Sequence, residues 1–245
     1  MISSFYINLD KDTDRKEKME AQLERLGFSY ERILGIKGKD GVSKEDYDES
    51  FSIKENGKPL TYGEIGCALS HRRAYEIIVE RNLPVALILE DDAVLPESFN
   101  KIIAKEVARN HNRWEMLSFE YLPVGYIFIR NWLIASFKET KANPFFVIYV
   151  LLKFPFVLLL SLYEVVQSFI GKVMPGSHVF MRPLYHASCY LLTLDGAKKL
   201  LTLSYPVRFS ADRIPNQARV QARLRMRGYV PRIVKQDKSF ATNIV

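Results

Sequence analysis

The sequence predicts an α/β fold: a mostly parallel, doubly wound sheet flanked by helices, with an apolar helical insertion. Three observations carry this. First, Pro84-Val85-Ala86-Leu87-Ile88-Leu89 is continuously apolar, which is how a strand covered on both faces reads. Second, strand-like and helix-like periodicities alternate through the first 120 residues, as β-α-β crossovers require. Third, 245 residues with 48% apolar and 26% charged side chains suit a single domain with its own core.

Each element has a local reason. Ile2 to Leu9 reads as a first strand, with Phe5, Ile7 and Leu9 on one face and Tyr6 on the other. Asp12 or Thr13 is placed to cap a helix whose apolar stripe is Met19, Leu23 and Leu26. Gly27 is placed to end it. Phe28 to Ile33 returns as a strand, and residues 37–58, rich in Lys, Gly, Asp and Ser, read as a loop. Thr61-Tyr62-Gly63-Glu64 is a capping-box pattern that starts a helix running to about Ile78. The apolar strand of residues 84–89 follows, then a helix from about Glu97 to Asn110 and a short strand, Met116 to Phe119. Later, His186 to Leu194 reads as a strand, and Asp195 as the cap of a helix over Gly196 to Leu203. Asn216 to Arg227 reads as a helix stopped by Gly228, with Arg219, Arg223 and Arg227 on one face. Tyr229 to Val234 is the last strand.

Residues 121–180 break this order and form an apolar insertion. Phe145 to Tyr163 is 19 residues long with one charge, Lys153, and one proline, Pro155. A span needs about 20 apolar residues. A central lysine costs about 2.5–3.5 kcal/mol on insertion scales, and the proline kinks a helix. The insertion is therefore expected to lie on or dip into a membrane surface. A true span and a core helix pair are the other readings. Arg130, Lys138, Lys141, Lys153 and Lys172 punctuate it, as expected beside anionic lipid.

Charge is unevenly placed. Residues 1–100 hold 14 basic and 20 acidic side chains, a net −6, and the overall +7 therefore leaves +13 for the rest. An anionic partner for the second half follows. Nucleic acid is not that partner, because the basic tail has neither a binding motif nor interleaved aromatics. The two cysteines, Cys67 and Cys189, form neither a disulfide framework nor a zinc spacing and read as core residues. Met1-Ile2-Ser3-Ser4-Phe5 lacks a basic leader, so a cytoplasmic location is expected.

The chemistry concentrates at Glu90-Asp91-Asp92, which follow the apolar strand without a break. Ligands of open α/β sheets sit outside the carboxyl ends of such strands. Three crowded carboxylates repel one another unless a cation joins them. A divalent metal carrying a phosphate fits. Alternation along an extended segment puts Glu90 and Asp92 on one side, where they are expected to hold Mn²⁺ or Mg²⁺.

Three segments resemble glycosyltransferase family 25, the bacterial lipopolysaccharide and lipooligosaccharide transferases. They are Phe5-Tyr6-Ile7-Asn8-Leu9 with Arg15 a few residues on, the block Gly63-Glu64-Ile65-Gly66-Cys67-Ala68-Leu69-Ser70-His71, and Leu87-Ile88-Leu89-Glu90-Asp91-Asp92. Residues 187–201 and 231–236 are similar to the family's later segments, while 121–180 match nothing in it. The resemblance implies a GT-A-like fold and an inverting outcome. It implies transfer of a hexose, galactose or glucose, from a UDP-sugar to a lipid-linked lipopolysaccharide or lipooligosaccharide acceptor. The enzyme would then sit peripherally on the cytoplasmic face of the inner membrane. The other reading is a catalytically degenerate, membrane-associated binding protein. Asn8, Arg15, Gly63, Glu64, Ser70, His71 and Asp91 are the expected substrate-binding residues, with Glu90 and Asp92 for the metal. An inverting transferase also needs a general base for the acceptor hydroxyl. Asp212, after Tyr205-Pro206-Val207, is the candidate.

Overall fold

The computed structural model describes residues 2–121, 154–155, 158–159, 162–163, 165–166, 169, 171, 173–180, 183–185 and 187–240. The strands are β1 Ser3–Asn8, β2 Tyr30–Leu34, β3 Val85–Glu90, β4 Ala93–Val94, β5 Met116–Ser118, β6 Gly176–His178, β7 Cys189–Thr193, β8 Met226–Val230 and β9 Lys235–Gln236. The helices are α1 Thr13–Arg25, α2 Gly38–Gly41, α3 Glu49–Asn56, α4 Tyr62–Glu80, α5 Phe99–Ala108, α6 Leu194–Leu201 and α7 Ile214–Gln221.

Among the described residues, seven strands form one sheet in the order β2-β1-β3-β7-β5-β8-β6, and β4 pairs with β9 apart from it. The β2-β1-β3 half is parallel. β7 runs antiparallel to both β3 and β5, β5 and β8 are parallel, and β6 is antiparallel to β8. The sheet is therefore α/β as expected, but its strand directions are evenly mixed.

Alternation along the central strands sorts the core into two layers. Phe5, Ile88, Tyr190 and Leu192 face α4, α6 and α7. Tyr6, Leu87, Leu89, Cys189 and Leu191 face α1 and α5. Burial on both faces explains the unbroken apolar run of β3. It also places Cys189 in the core, as its sequence setting suggests.

Several elements depart from the sequence reading. Residues 37–58 hold α2, a 3₁₀ turn and α3 rather than a plain loop. Helix α6 begins at Leu194, and the Thr193 side chain accepts from the Gly196 N–H. Thr193 is the cap, and Asp195 lies in the first turn. Helix α7 stops at Gln221, so no three-arginine face exists. Arg223 takes a left-handed φ of 52°, and the Leu224 N–H bonds the Ala218 carbonyl at 3.0 Å, a helix-ending arrangement. Burial of Leu224 and Met226 drives the chain out of the helix and into β8. Gly228 lies within β8, where a Cβ would meet the Phe180 ring at 2.7 Å. Most of the apolar insertion, including 122–153, lies outside the described residues. Among those described, no helix is long and apolar enough to cross a membrane.

Candidate active site

β1 and β3 are parallel neighbours, with Ile7 opposite Glu90. Their carboxyl ends open into a cavity of about 650 Å³. Helix α4 forms one wall. Its capping box is complete: Glu64 N–H donates to Thr61 Oγ1 at 3.2 Å, and Thr61 N–H donates to Glu64 Oε2 at 2.7 Å. Glycines let α4 approach the preceding loop. A Cβ on Gly66 would collide with the Ile36 carbonyl, and one on Gly38 with the Tyr62 carbonyl. Ser70 ties the same junction, accepting from Ile36 N–H at 2.8 Å and donating to Gly66 O at 2.7 Å.

The three acids at the end of β3 have different fates. Asp91 is satisfied: Asn8 Nδ2 donates to it at 2.7 Å and Arg15 Nη1 at 3.0 Å. Burial still moves its pKa up, against the pull of Asn8 and Arg15. Glu90 Oε1 meets His71 Nε2 at 3.0 Å. Asp92 Oδ1 is buried and has no hydrogen-bond partner among the described residues. Burial, then the neighbouring charges of Glu90 and Asp91, push the Asp92 pKa up to about 7. An uncompensated buried carboxylate oxygen beside two more acids is the environment a cation relieves. Glu90 and Asp92 thus fit a divalent metal.

The structure brings Asn8, Arg15, Gly63, Glu64, Ser70, Glu90, Asp91, Asp92 and Asp212 to the lining of this one cavity. Asp212 enters from the loop before α7, and Ser210 Oγ donates to its Oδ1 at 2.6 Å. His71 is not at the lining. It is fully buried beneath Glu90, with Nδ1 against the Tyr190 hydroxyl at 2.8 Å. Tyr190 in turn donates to Tyr75 at 3.2 Å.

Other lining residues were not visible in the sequence. The strand pair β4-β9 carries the tail over the acids, so Gln236, Asp237, Lys238 and Phe240 close one side. Asp237 N–H donates to the Asp92 carbonyl at 2.7 Å. Its carboxylate is held by Lys18 and by Ser239, which lower its pKa. Phe240 lies under Arg15 and Lys18, 5.0 and 5.2 Å from its centroid. Nothing local in residues 236–240 signals this; only the pairing does. Cys67, read as a core residue, is partly exposed at the cavity. Burial first, then Glu90, Asp212 and Asp92, push its thiol pKa well up. Cys67, His71 and Glu90 form a group whose potential ligand atoms all lie within 4.8 Å of one another.

The family profile described as Glycosyltransferase family 25 (LPS biosynthesis protein) matches residues 1–214. The chain belongs to glycosyltransferase family 25. A glycosyltransferase 25 family member of Anopheles gambiae is 31% identical over 125 residues, covering 47% of this family 25 chain and 21% of that protein. Procollagen galactosyltransferase 1-A of Xenopus laevis is 37% identical over 98 residues, covering 36% of this chain and 15% of its own. The matched parts thus span about a fifth or less of these relatives. A solved glycosyltransferase involved in glycosylation of the major capsid of PBCV-1 shares 11% identity with a TM-score of 0.44, covering 94% of this chain and 81% of that one.

Proposed function

We propose that this chain is an inverting transferase moving a hexose, galactose or glucose, from a UDP-sugar to a lipid-linked lipopolysaccharide or lipooligosaccharide acceptor. The observation that carries the reading is Asp92 Oδ1, buried and without a hydrogen-bond partner among the described residues, beside Glu90 at the cavity formed by the ends of β1 and β3. Family membership supports glycosyl transfer. The names of relatives such as the procollagen galactosyltransferases support galactose, and the family description supports the lipopolysaccharide acceptor.

Each residue then has a task. Glu90 and Asp92 would hold Mn²⁺ or Mg²⁺, and the ion would supply positive charge to offset that developing on the departing nucleoside diphosphate. Asn8 and Arg15 brace Asp91, which keeps the acidic turn in place. Gly63 and Glu64 present the N-terminus of α4, whose dipole favours an anionic group. Asp212 takes the proton of the acceptor hydroxyl. In this reading the protein sits at the cytoplasmic face of the inner membrane. Leu158, Leu159, Leu162, Val165, Val166 and Phe169, at helical spacing and exposed, support contact with a membrane surface.

The test is a panel of UDP-sugars scored by UDP release with and without Mn²⁺. One UDP-hexose should be turned over with metal only. Asp212→Asn should lower kcat with little change in donor KM. Turnover unaffected by chelation and by Asp92→Asn would remove the metal assignment. Equal turnover in Asp212→Asn would remove the base.

A further inference from the structure

We propose that Cys67, His71 and Glu90 form a second metal site at the floor of the cavity, selective for a thiophilic divalent ion such as Zn²⁺. It is distinct from the hard-cation pair Glu90 and Asp92, although it shares Glu90.

Geometry carries the proposal. Cys67 and His71 are four residues apart on α4 and so lie on one face of the helix. Glu90 reaches them from the end of β3. The thiol sulfur, an imidazole nitrogen and a carboxylate oxygen all come within 4.8 Å of one another. In a tetrahedral site, ions bind these ligands at about 2.0–2.3 Å, so closure needs small side-chain shifts rather than backbone movement.

The histidine is also braced as a ligand. Tyr190 donates its hydroxyl proton to Tyr75 at 3.2 Å, so its oxygen accepts from His71 Nδ1–H at 2.8 Å. The two rings stack at 5.8 Å. This leaves Nε2 facing Glu90. Metal-binding histidines characteristically have their other ring nitrogen fixed this way. His71, Tyr75 and Tyr190 are all fully buried, so the ring cannot easily turn away.

The donor set decides the metal. Thiolate and imidazole favour Zn²⁺ over Mg²⁺ or Mn²⁺, which prefer oxygen. Three protein ligands leave a fourth position open, on the side where Cys67 and Glu90 line the cavity. On binding, the thiol proton leaves to solvent, and the thiolate sulfur, the Nε2 lone pair and a Glu90 oxygen take the ion. Glu90 is thereby withdrawn from Asp92. Thiophilic ions should therefore inhibit a reaction that depends on the hard cation, a consequence that rests on the proposed function, whereas the site itself does not.

The test uses Co²⁺ as a spectroscopic substitute for Zn²⁺, titrated into the purified full-length protein without donor. One equivalent should produce thiolate-to-cobalt charge-transfer absorption and intense four-coordinate visible bands, and one equivalent of Zn²⁺ should abolish them. Cys67→Ser should lose the charge-transfer band, and Cys189→Ser should keep it. Tyr190→Phe should weaken Zn²⁺ binding about 10–100-fold, the usual loss for a missing partner of a metal ligand. Asp92→Asn should retain the cobalt spectrum while losing Mn²⁺ binding measured by electron paramagnetic resonance. That arm separates the two sites, since failure of the Mn²⁺ assignment leaves the cobalt result standing. A folded wild type with no thiolate band, or a band that survives Cys67→Ser, would overturn the proposal.

Discussion

Replacing Asp92 by Asn should stabilise the metal-free protein while removing its response to Mn²⁺. Asp92 is largely buried, close to Glu90 and Asp91, and its pKa moves from 3.8 to about 7. A folded-state pKa above the unfolded one means that the folded protein binds the extra proton between these values. Below about pH 4 both states are protonated and the residue costs nothing. As pH rises from about 4 to about 7 the cost grows, and above 7 it is constant. At 1.36 kcal/mol per pH unit, the displacement amounts to about 4 kcal/mol at pH 8. Asn has the same shape and carries no charge, so it escapes most of this cost. The assay is urea denaturation of both proteins in chelator from pH 4 to 8. The stability difference should open in favour of Asp92→Asn across that window and level off above pH 7. With Mn²⁺ at 100 times its Kd, the wild type should gain about 2.7 kcal/mol and the variant nothing. A difference that is flat with pH, or a variant less stable than wild type at pH 8, would show that Asp92 is not strained by its neighbours.

Two further outcomes follow from the same geometry. Arg15→Met leaves the Asp91 carboxylate with Asn8 but without the guanidinium 3.0 Å away. Removing one member of such a buried pair costs about 3 kcal/mol at neutral pH. Because burial already raises the Asp91 pKa and the variant raises it further, the cost should shrink toward pH 4 as Asp91 is protonated; a pH-independent loss in thermal denaturation would count against this account. Gly66→Ala sets a methyl group against the Ile36 carbonyl, with Gly38 N only 3.0 Å away. Both neighbours are backbone and cannot rotate aside, so about 1–3 kcal/mol should be lost in chemical denaturation. An unchanged midpoint would mean that the α2-α4 junction yields to the added methyl group without cost.

Much of the site was legible because its signals are local. A capping box is written in four consecutive residues, and Thr61 and Glu64 close it as read. The apolar strand ending in acids is equally local, and parallel pairing of β1 with β3 brings Asn8 and Arg15 to Asp91 as adjacent strand ends must. Other parts depended on competition between distant segments. Arg219, Arg223 and Arg227 have helical spacing, yet burying Leu224 and Met226 against the sheet outweighs continuation of α7, and Arg223 turns left-handed. Thr193 captures the cap that Asp195 was expected to supply.

The amino-acid sequence by itself determined the capped start of α4, the two-sided burial of β3 and the crowding of charge at its end, because each depends on residues within a turn or a strand of one another. Only the tertiary structure decided that Asp91 is held by Asn8 and Arg15 while Asp92 Oδ1 has no hydrogen-bond partner among the described residues. It also decided that Tyr190, 119 positions away, holds the ring of His71, and that the 236–240 tail closes the cavity. Those outcomes depend on which side chains the sheet order places within a few ångströms, and spacing along the chain carries no information about that distance.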